Sequence, residues 1–467
     1  MLFAGLKAFS GSMLCFIKRV LNLILQPLLL LALTLFVLQG CATSAEKTAG
    51  LRQLMSQSHF EQALAEAEKQ LKDDANGVMQ NMNVGVLRRI NGDFSASNKA
   101  FMQAKRKIDD LYATSISEQA GALMINDELI RFEGDRFEQV LIHLYMASNF
   151  LSLGDPDGAR VELLQSQVRM DQWGEPDDEV PFMRYFSGII FEILGEDDSA
   201  TVSYRKAVDA YINTKARHGL NVPQSLQFDL LRMLSKMQLL NEFVEYQQRF
   251  ALNNFQLPDM DNKGELIVVL GNGMSPQRAQ VSIHVWSTEL SANIKIAVPA
   301  YLHPPARLNK VRLQINDRYY PLEVVSNIDG LARSALSEKM PVITARALAR
   351  AVVKKQSEKQ AGERNGYMQL ALLIFNLSTE IADTRSWSTL PQEFELARVL
   401  LPEGEHHVMI EVLGRGGRVI DTIAERVRIR AGAISVVSKR WTAPTPKLKL
   451  VPPKGNAVGD KRSVGSL

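Results

Sequence analysis

The sequence predicts an α+β chain: an N-terminal α-solenoid of helical repeats, then a β-sandwich-like part with a helical insertion. Three observations lead there. From residue 50 to about 252 the apolar residues recur at helical spacing and Pro is rare. Within that stretch Gly-acidic pairs punctuate the pattern at Gly92-Asp93, Gly154-Asp155 and Gly195-Glu196. After the turn-rich run 258–264 the period shortens to apolar runs and alternation, with one return to helical spacing. The composition is that of a folded protein, since 46% of residues are apolar and 22% charged. A chain of 467 residues has room for two or three domains at roughly 150 residues each.

The basic excess is confined to residues 1–40. They hold three of the 54 Lys and Arg (Lys7, Lys18 and Arg19) and none of the 51 Asp and Glu, so without them the formal net charge falls from +3 to zero. Such a body has no electrostatic footprint for nucleic acid. Lys18-Arg19, the uncharged apolar run 20–37 and Leu38-Gln39-Gly40-Cys41 read as an export signal. The last four residues resemble a bacterial lipobox, with Leu38 three places before the cysteine and small Gly40 immediately before it; Gln39 departs from the usual small residue. The resemblance implies cleavage between Gly40 and Cys41, acylation of Cys41 (palmitate among the chains) and a tether over 41–50. Ala42 rather than Asp implies, by enterobacterial sorting behaviour, the outer membrane, facing the periplasm. The run 20–37 is also long enough to span a bilayer, which leaves an uncleaved signal anchor as the alternative, and Met13 is an alternative start to Met1. Cys15 leaves with the signal, so the mature chain has no free thiol for disulfides, zinc or nucleophilic catalysis.

The helical half is expected over 51–252. In 143–160, Ala147, Phe150, Gly154, Asp155 and Ala159 resemble the turn of a tetratricopeptide (TPR) repeat: a small residue at the helix crossing, an aromatic three places on, a Gly-Asp turn, and an alanine opening the second helix. Gly188, Phe191, Gly195, Glu196 and Ala200 repeat it, with Tyr204 and Ala207 following. Gly85, Gly92, Asp93, Phe101 and Ala104 form a third copy, in which Arg88 and Ser97 replace the expected aromatic and alanine. A degenerate copy, Phe60 to Ala63 with Ala67, turns near Ser58. The turns at Ser58, Gly92, Gly154 and Gly195 make an interrupted array, with an extra helix or helical insert read into 114–133. A last helical pair, 224–239 and 241–252, caps it, since a solenoid end otherwise exposes apolar surface. A generic α-solenoid or bundle is the alternative, because any close helix crossing favours small residues.

A linker over 253–263 leads to the β-rich part, 264–441. Strands are expected at 265–270, 280–286, 311–315, 319–325, 394–401, 406–413, 419–430 and 433–439, with Asn316-Asp317 turning a hairpin. The helical insertion covers about 327–378 and includes a second helical segment at 367–377. The Pro-, Lys- and Gly-rich tail 442–467 reads as disordered and solvated.

Chemistry is sparse. Asp383, Arg385 and Trp387 stand together before a strand, either as a recognition loop in which Trp387 stacks and Arg385 pairs with an anion, or as a buried tryptophan beside an ion pair that fixes the loop. Gly414 to Gly417 lies between strands and reads as a hairpin turn, not a phosphate cradle. The seven histidines lack metalloprotease spacing, and His406 and His407 fall on opposite faces of an expected strand. No nucleophile elbow or phosphate-binding loop occurs. The acidic runs 175–179 and 196–198 read as solvated loop or helix-start residues, with a divalent-cation site as the alternative. No catalytic residue, metal or cofactor is therefore expected.

Gly134 to Glu138 running into 143–160, with Ala382 to Trp387 through Leu390-Pro391, resembles an uncharacterised family of proteobacterial lipoproteins with TPR-like repeats and a C-terminal β-rich domain. The resemblance implies a place in envelope or peptidoglycan biogenesis, because relatives can be encoded near a lipoprotein activator of penicillin-binding proteins. The leading expectation is a non-enzymatic, membrane-tethered scaffold whose helical groove takes an envelope protein or peptide, without nucleic acid. A peptidoglycan-contacting module built on Trp387, Arg385 and Trp286 is the alternative, and a hydrolase without a recognisable motif the third.

Overall fold

A computed structural model describes residues 44–73, 77–122, 131–174, 179–287, 292–301, 308–362 and 381–442. The expected signal over 1–40, the Gly40–Cys41 junction, the helical segment at 367–377 and the tail beyond Thr442 lie outside them. The chain divides into two units, Met1–Gly50 and Leu51–Leu467.

Left-handed residues set the rhythm of the helical half. Five helix pairs occur among the described residues: α1 (Ser44–Ser56) with α2 (Phe60–Asp73), α3 (Val78–Ile90) with α4 (Phe94–Ala122), α5 (Arg136–Ser152) with α6 (Pro156–Trp173), α7 (Pro181–Ile193) with α8 (Asp197–His218), and α9 (Gln224–Lys236) with α10 (Leu240–Arg249). Each pair turns on one residue at positive φ: Ser58, Gly92, Gly154, Gly195 and Gln238. The residue after it donates its N–H to the carbonyl five places back, at 2.8–2.9 Å in every pair, from His59 to Leu54 through Leu239 to Leu234. That bond answers a carbonyl which the ending helix leaves unpaired. Asp155 then caps α6 by accepting from the Gly158 N–H at 2.8 Å, and Pro156 opens that helix where no N–H is needed. The insert expected at 114–133 is partly a continuation: α4 runs unbroken to Ala122, and 131–135 is not helical.

Small residues on the first helix of a pair meet bulky ones sixteen positions later on the second. A Cβ on Gly85 would lie 2.5 Å from the Phe101 ring, and one on Gly188 2.2 Å from the Tyr204 ring. Ala147 and Leu163 have the same spacing in the third pair, and both are fully buried. The rings thus occupy space that a side chain on the first helix would fill.

Among the described residues the β part forms two four-stranded sheets and a separate hairpin. β1 (Lys263–Asn272) lies between β10 (Ile434–Trp441) and β7 (Glu393–Pro402), and β6 (Glu323–Asn327) completes that sheet on the far side of β7. β1 runs parallel to β10 and antiparallel to β7. The second sheet has the order β5 (Arg318–Pro321), β4 (Lys310–Ile315), β8 (Gly404–Leu413), β9 (Val419–Ile429) and is antiparallel throughout. Residues 319–325, expected as one strand, are therefore split at Leu322 between the two sheets. β2 (Ala279–Ser287) pairs with β3 (Ala292–Ala300). β3 was absent from the expected strands; its Ile294, Ile296 and Val298 are buried, and Ala297 between the last two is buried as well, which blurs the alternation. Helix α11 (Ile328–Gly362) packs Ala347 and Ala351 against Ile294, Ile296 and Val298.

Period-two alternation gives the first sheet two buried faces. Leu266, Val268 and Leu270 of β1, with Ala397, Val399 and Leu401 of β7, pack against Leu313, Val408 and Ile410 of the second sheet. Ile267, Val269, Phe394 and Leu396 point the other way and join the core of the helices, among Leu141, Tyr145, Phe182 and Phe186. Helices, first sheet and second sheet are thus three successive layers within Leu51–Leu467. The first helices of the pairs, α3, α5, α7 and α9, meet the β part through Asn83, Glu138, Glu192 and Asp229. The helix face expected to form a groove, with the β part positioning or capping it, is met in these contacts by the chain's own β part.

Candidate functional site

Arg398 is the one charged residue on the helix-facing side of β7 after Phe394 and Leu396, and its side chain is buried. Its fork reaches three carboxylates. Nε donates to Glu265 at 2.9 Å, Nη1 and Nη2 to Glu192 at 3.1 and 2.9 Å, and Nη1 lies 3.0 Å from Asp229. Nη2 also pairs with Glu265. Arg232, one turn from Asp229 on α9, shares Glu192 and Asp229. Tyr185 donates to Asp229 and Tyr204 to Glu192, each at 2.7 Å.

Burial pushes the Glu192 carboxyl up, but Arg398 and Arg232 outweigh it and hold the group below the usual range. At Asp229 burial prevails over the same two arginines and the carboxyl is raised. Burial would lower the Arg398 guanidinium, yet Asp229, Glu192 and Glu265 together raise it. The set holds three carboxylates against two guanidiniums, a formal surplus of one negative charge, and Asp229 is the group whose ionisation is hardest.

Of these, Asp229, Arg232, Glu265 and Arg398 floor a cleft of about 670 Å³ between α9, the connection after α10 and the first sheet. Phe228, Leu252, Phe255, Pro258 and Leu400 form its apolar walls, with Asn253, Asn254 and Gln256 along the rim. Phe228 packs on Phe255 with ring centroids 5.5 Å apart, yet it stays 38% exposed and faces the opening. Apolar walls with few polar groups suit the side chains of a bound segment.

A second network joins the two stretches singled out by resemblance. Glu138 accepts the N–H of Asp135 and the N–H of Trp387, both at 2.8 Å. Arg278 pairs with Asp135 and donates to the Arg385 carbonyl at 3.1 Å and the Tyr301 hydroxyl at 3.0 Å. Lys339 adds a 2.7 Å contact to Asp135. Burial, with Asp135 beside it, pushes the Glu138 carboxyl up to about 7.

The expected site residues divide by role. Gly92, Gly154 and Gly195 are the left-handed turn residues; Asp93 accepts the Ala96 N–H at 3.0 Å, and Ala159 and Ala200 are fully buried at helix crossings. Asp383 and Arg385 pair at 2.8 Å, with the guanidinium 5.5 Å above the Phe132 ring. Trp387 is 1% exposed, its ring 6.0 Å from Phe101 and 5.6 Å from Tyr145, and Nε1 donates to Thr389 at 2.9 Å. A ligand-stacking role for Trp387 is thereby corrected: Phe101 and Tyr145 already hold the ring. Trp286 is 60% exposed, on the separate β2–β3 hairpin. His406 is buried while His407 faces solvent. Among the described residues no group of three His, Cys, Asp or Glu is placed to hold a metal ion, and no helix is long and apolar enough to cross a membrane.

Sequence reasoning missed Arg398, Glu192, Asp229, Arg232 and Arg278. Arg398 had a signal: it interrupts the apolar strand Phe394-Glu-Leu-Ala-Arg-Val-Leu-Leu401, and a charge in such a strand requires buried partners.

No protein-family model and no curated protein matches the chain. Among solved structures it is similar to MamA (residue 41 to the end) from Desulfovibrio magneticus RS-1, at 12% identity and a TM-score of 0.31 over 47% of this chain and all of that one. It is similar to a Podosopora anserina kinesin light chain protein of nearly identical TPR-like repeats at 10% identity and a TM-score of 0.31, covering 44% of this chain and 92% of that one. RapI in its apo form follows at 13% identity and a TM-score of 0.35, over 48% of this chain and 59% of that one. At such scores the repeat architecture rests on the five turns themselves.

Proposed function

We propose that the protein is a non-enzymatic interaction scaffold whose cleft takes an apolar segment of a partner protein. The observation that carries this reading is the cleft at the end of the helical array: apolar walls, an opening that leaves Phe228 exposed, and a floor of the carboxylates Asp229 and Glu265 with the guanidiniums Arg232 and Arg398. The TPR-like helices and the sandwich-like sheets hold its two sides. The lipobox-like Leu38-Gln39-Gly40-Cys41 supports anchoring through Cys41, and with it a periplasm-facing outer-membrane address and a role in envelope biogenesis. Cys41→Ser should abolish incorporation of labelled palmitate; undiminished labelling would reject the anchor.

The cleft is tested by placing a photo-crosslinking residue at Phe255 in cells. The expected result is a discrete adduct, lost when Phe228→Asp charges the wall and kept when exposed Val168 on α6 is changed to Ser. Equal loss from both variants would reject the cleft as the docking site. The peptidoglycan-contacting reading loses its central side chain with the burial of Trp387.

A further inference from the structure

Two arginines from distant parts of the chain meet residues 387–390 without a carboxylate, and a third lies beside Tyr145, which packs on Trp387. Arg52 on α1 donates to the Ser388 carbonyl at 3.2 Å, and Arg440 on β10 donates to the Leu390 carbonyl at 3.3 Å, two residues further along. Arg89 on α3 donates to Oδ1 of Asn149, one helical turn from Tyr145 on α5. Tyr145 in turn packs against the Trp387 ring. Arg440 also reaches the Gly271 and Trp441 carbonyls. Every oxygen that these guanidiniums reach belongs to a neutral group, and among the described residues none of the three has an ion-pair partner.

Donors remain unused. Nη2 of Arg89, Nε of Arg440 and the hydroxyl of Tyr145 are buried with no hydrogen-bond partner. Arg52, Arg89 and Tyr145 are almost wholly covered, while Arg440 is the least covered of the four and marks the way in. The groups lie within electrostatic range, since Arg89 and Arg440 both act on Tyr145 and Arg52 acts on Arg440. Burial pulls each guanidinium down to about 10, and it pushes the Tyr145 phenol up to about 12. The contrast with Arg398 is direct: that guanidinium is buried among three carboxylates, whereas these have none. Burying a cation is costly unless a counter-charge accompanies it.

We propose that Arg52, Arg89, Arg440 and Tyr145 form a binding site for a small oxyanion of the phosphate or sulfate class. A tetrahedral oxyanion offers several acceptors to forked donors and supplies the missing negative charge. Bound there, it would tie α1, α3 and α5 to β10 and to the segment after Trp387. The site does not depend on the proposed cleft or on any partner.

The test uses the full chain in a non-ionic detergent, with inorganic phosphate replacing chloride at constant ionic strength. Phosphate should raise the thermal midpoint by several degrees in a saturable manner, and the ³¹P resonance should broaden on adding protein. Arg89→Met should at least halve the phosphate-dependent rise, while exposed Arg418→Met should leave it intact. Tyr145→Phe removes one donor and little volume, and it should weaken the response should Arg89→Met fail to fold. Short-chain phosphatidylglycerol should give no such rise, because the donors are buried. The proposal is overturned by absence of ³¹P broadening, by a phosphate effect no larger than that of chloride, by an unchanged response in Tyr145→Phe, or by a response confined to the lipid.

Discussion

At the scale of single residues, stability depends on a few buried charges whose partners come from far along the chain. Arg398 uses its whole fork on Glu192, Asp229 and Glu265, which lie on α7, α9 and β1. Arg398→Met keeps much of the volume but leaves three buried carboxylates facing Arg232 alone. It should cost about 3–5 kcal/mol in denaturant unfolding; a loss within experimental error of zero would show that water enters and replaces the guanidinium. Glu395 makes the opposite case. Burial, with Glu393 close by, pushes its carboxyl up to about 7, while Asn272 donates to it. A carboxyl with a raised folded-state pKa contributes stability that is present below its unfolded value and is lost as pH rises through the folded one. The wild-type midpoint should therefore fall relative to that of Glu395→Gln between about pH 4.5 and 7; a constant difference across that range would refute the assignment. Neither group was legible as a site in the sequence, because a charge inside an apolar strand announces a partner without saying where it lies.

At the scale of elements, the five helix pairs share one turn geometry but not one residue type. Gly92, Gly154 and Gly195 adopt the left-handed conformation without a Cβ, whereas Ser58 and Gln238 adopt it with one. A left-handed non-glycine residue costs roughly 1–2 kcal/mol locally. Gln238→Gly should accordingly stabilise the protein by about 1 kcal/mol after the glycine entropy is subtracted, read as a rise in thermal midpoint; destabilisation would mean that the Gln238 side chain has a role beyond the turn. The glycine turns and the small residues at the crossings were readable because backbone conformation and close approach restrict residue type. The pair at Gln238 was readable only as two helical stretches, since its turn carries no glycine. β3 and the division of 319–325 escaped for a different reason: strand partners are chosen by long-range packing, and short apolar stretches do not record it.

At the scale of the whole molecule, the helices and the sheets of Leu51–Leu467 complete one another. Phe394, Leu396, Ile267 and Val269 enter the helical core, so residues 51–252 alone would expose the apolar side that they cover. Equilibrium unfolding should show one transition by far-ultraviolet circular dichroism and by tryptophan fluorescence, Trp173 lying in the helical half and Trp387 and Trp441 beyond it; two separated transitions would make the halves independent. The boundary expected at 253–263 marks a change of secondary structure, and the packing runs across it. The parallel pairing of β1 with β10 carries a further consequence, for synthesis. The strand that opens the β part is flanked by the last described strand, so a ribosome must make almost the entire described chain before the first sheet is complete. A nascent product truncated ahead of Ile434 lacks both the parallel partner of β1 and Arg440.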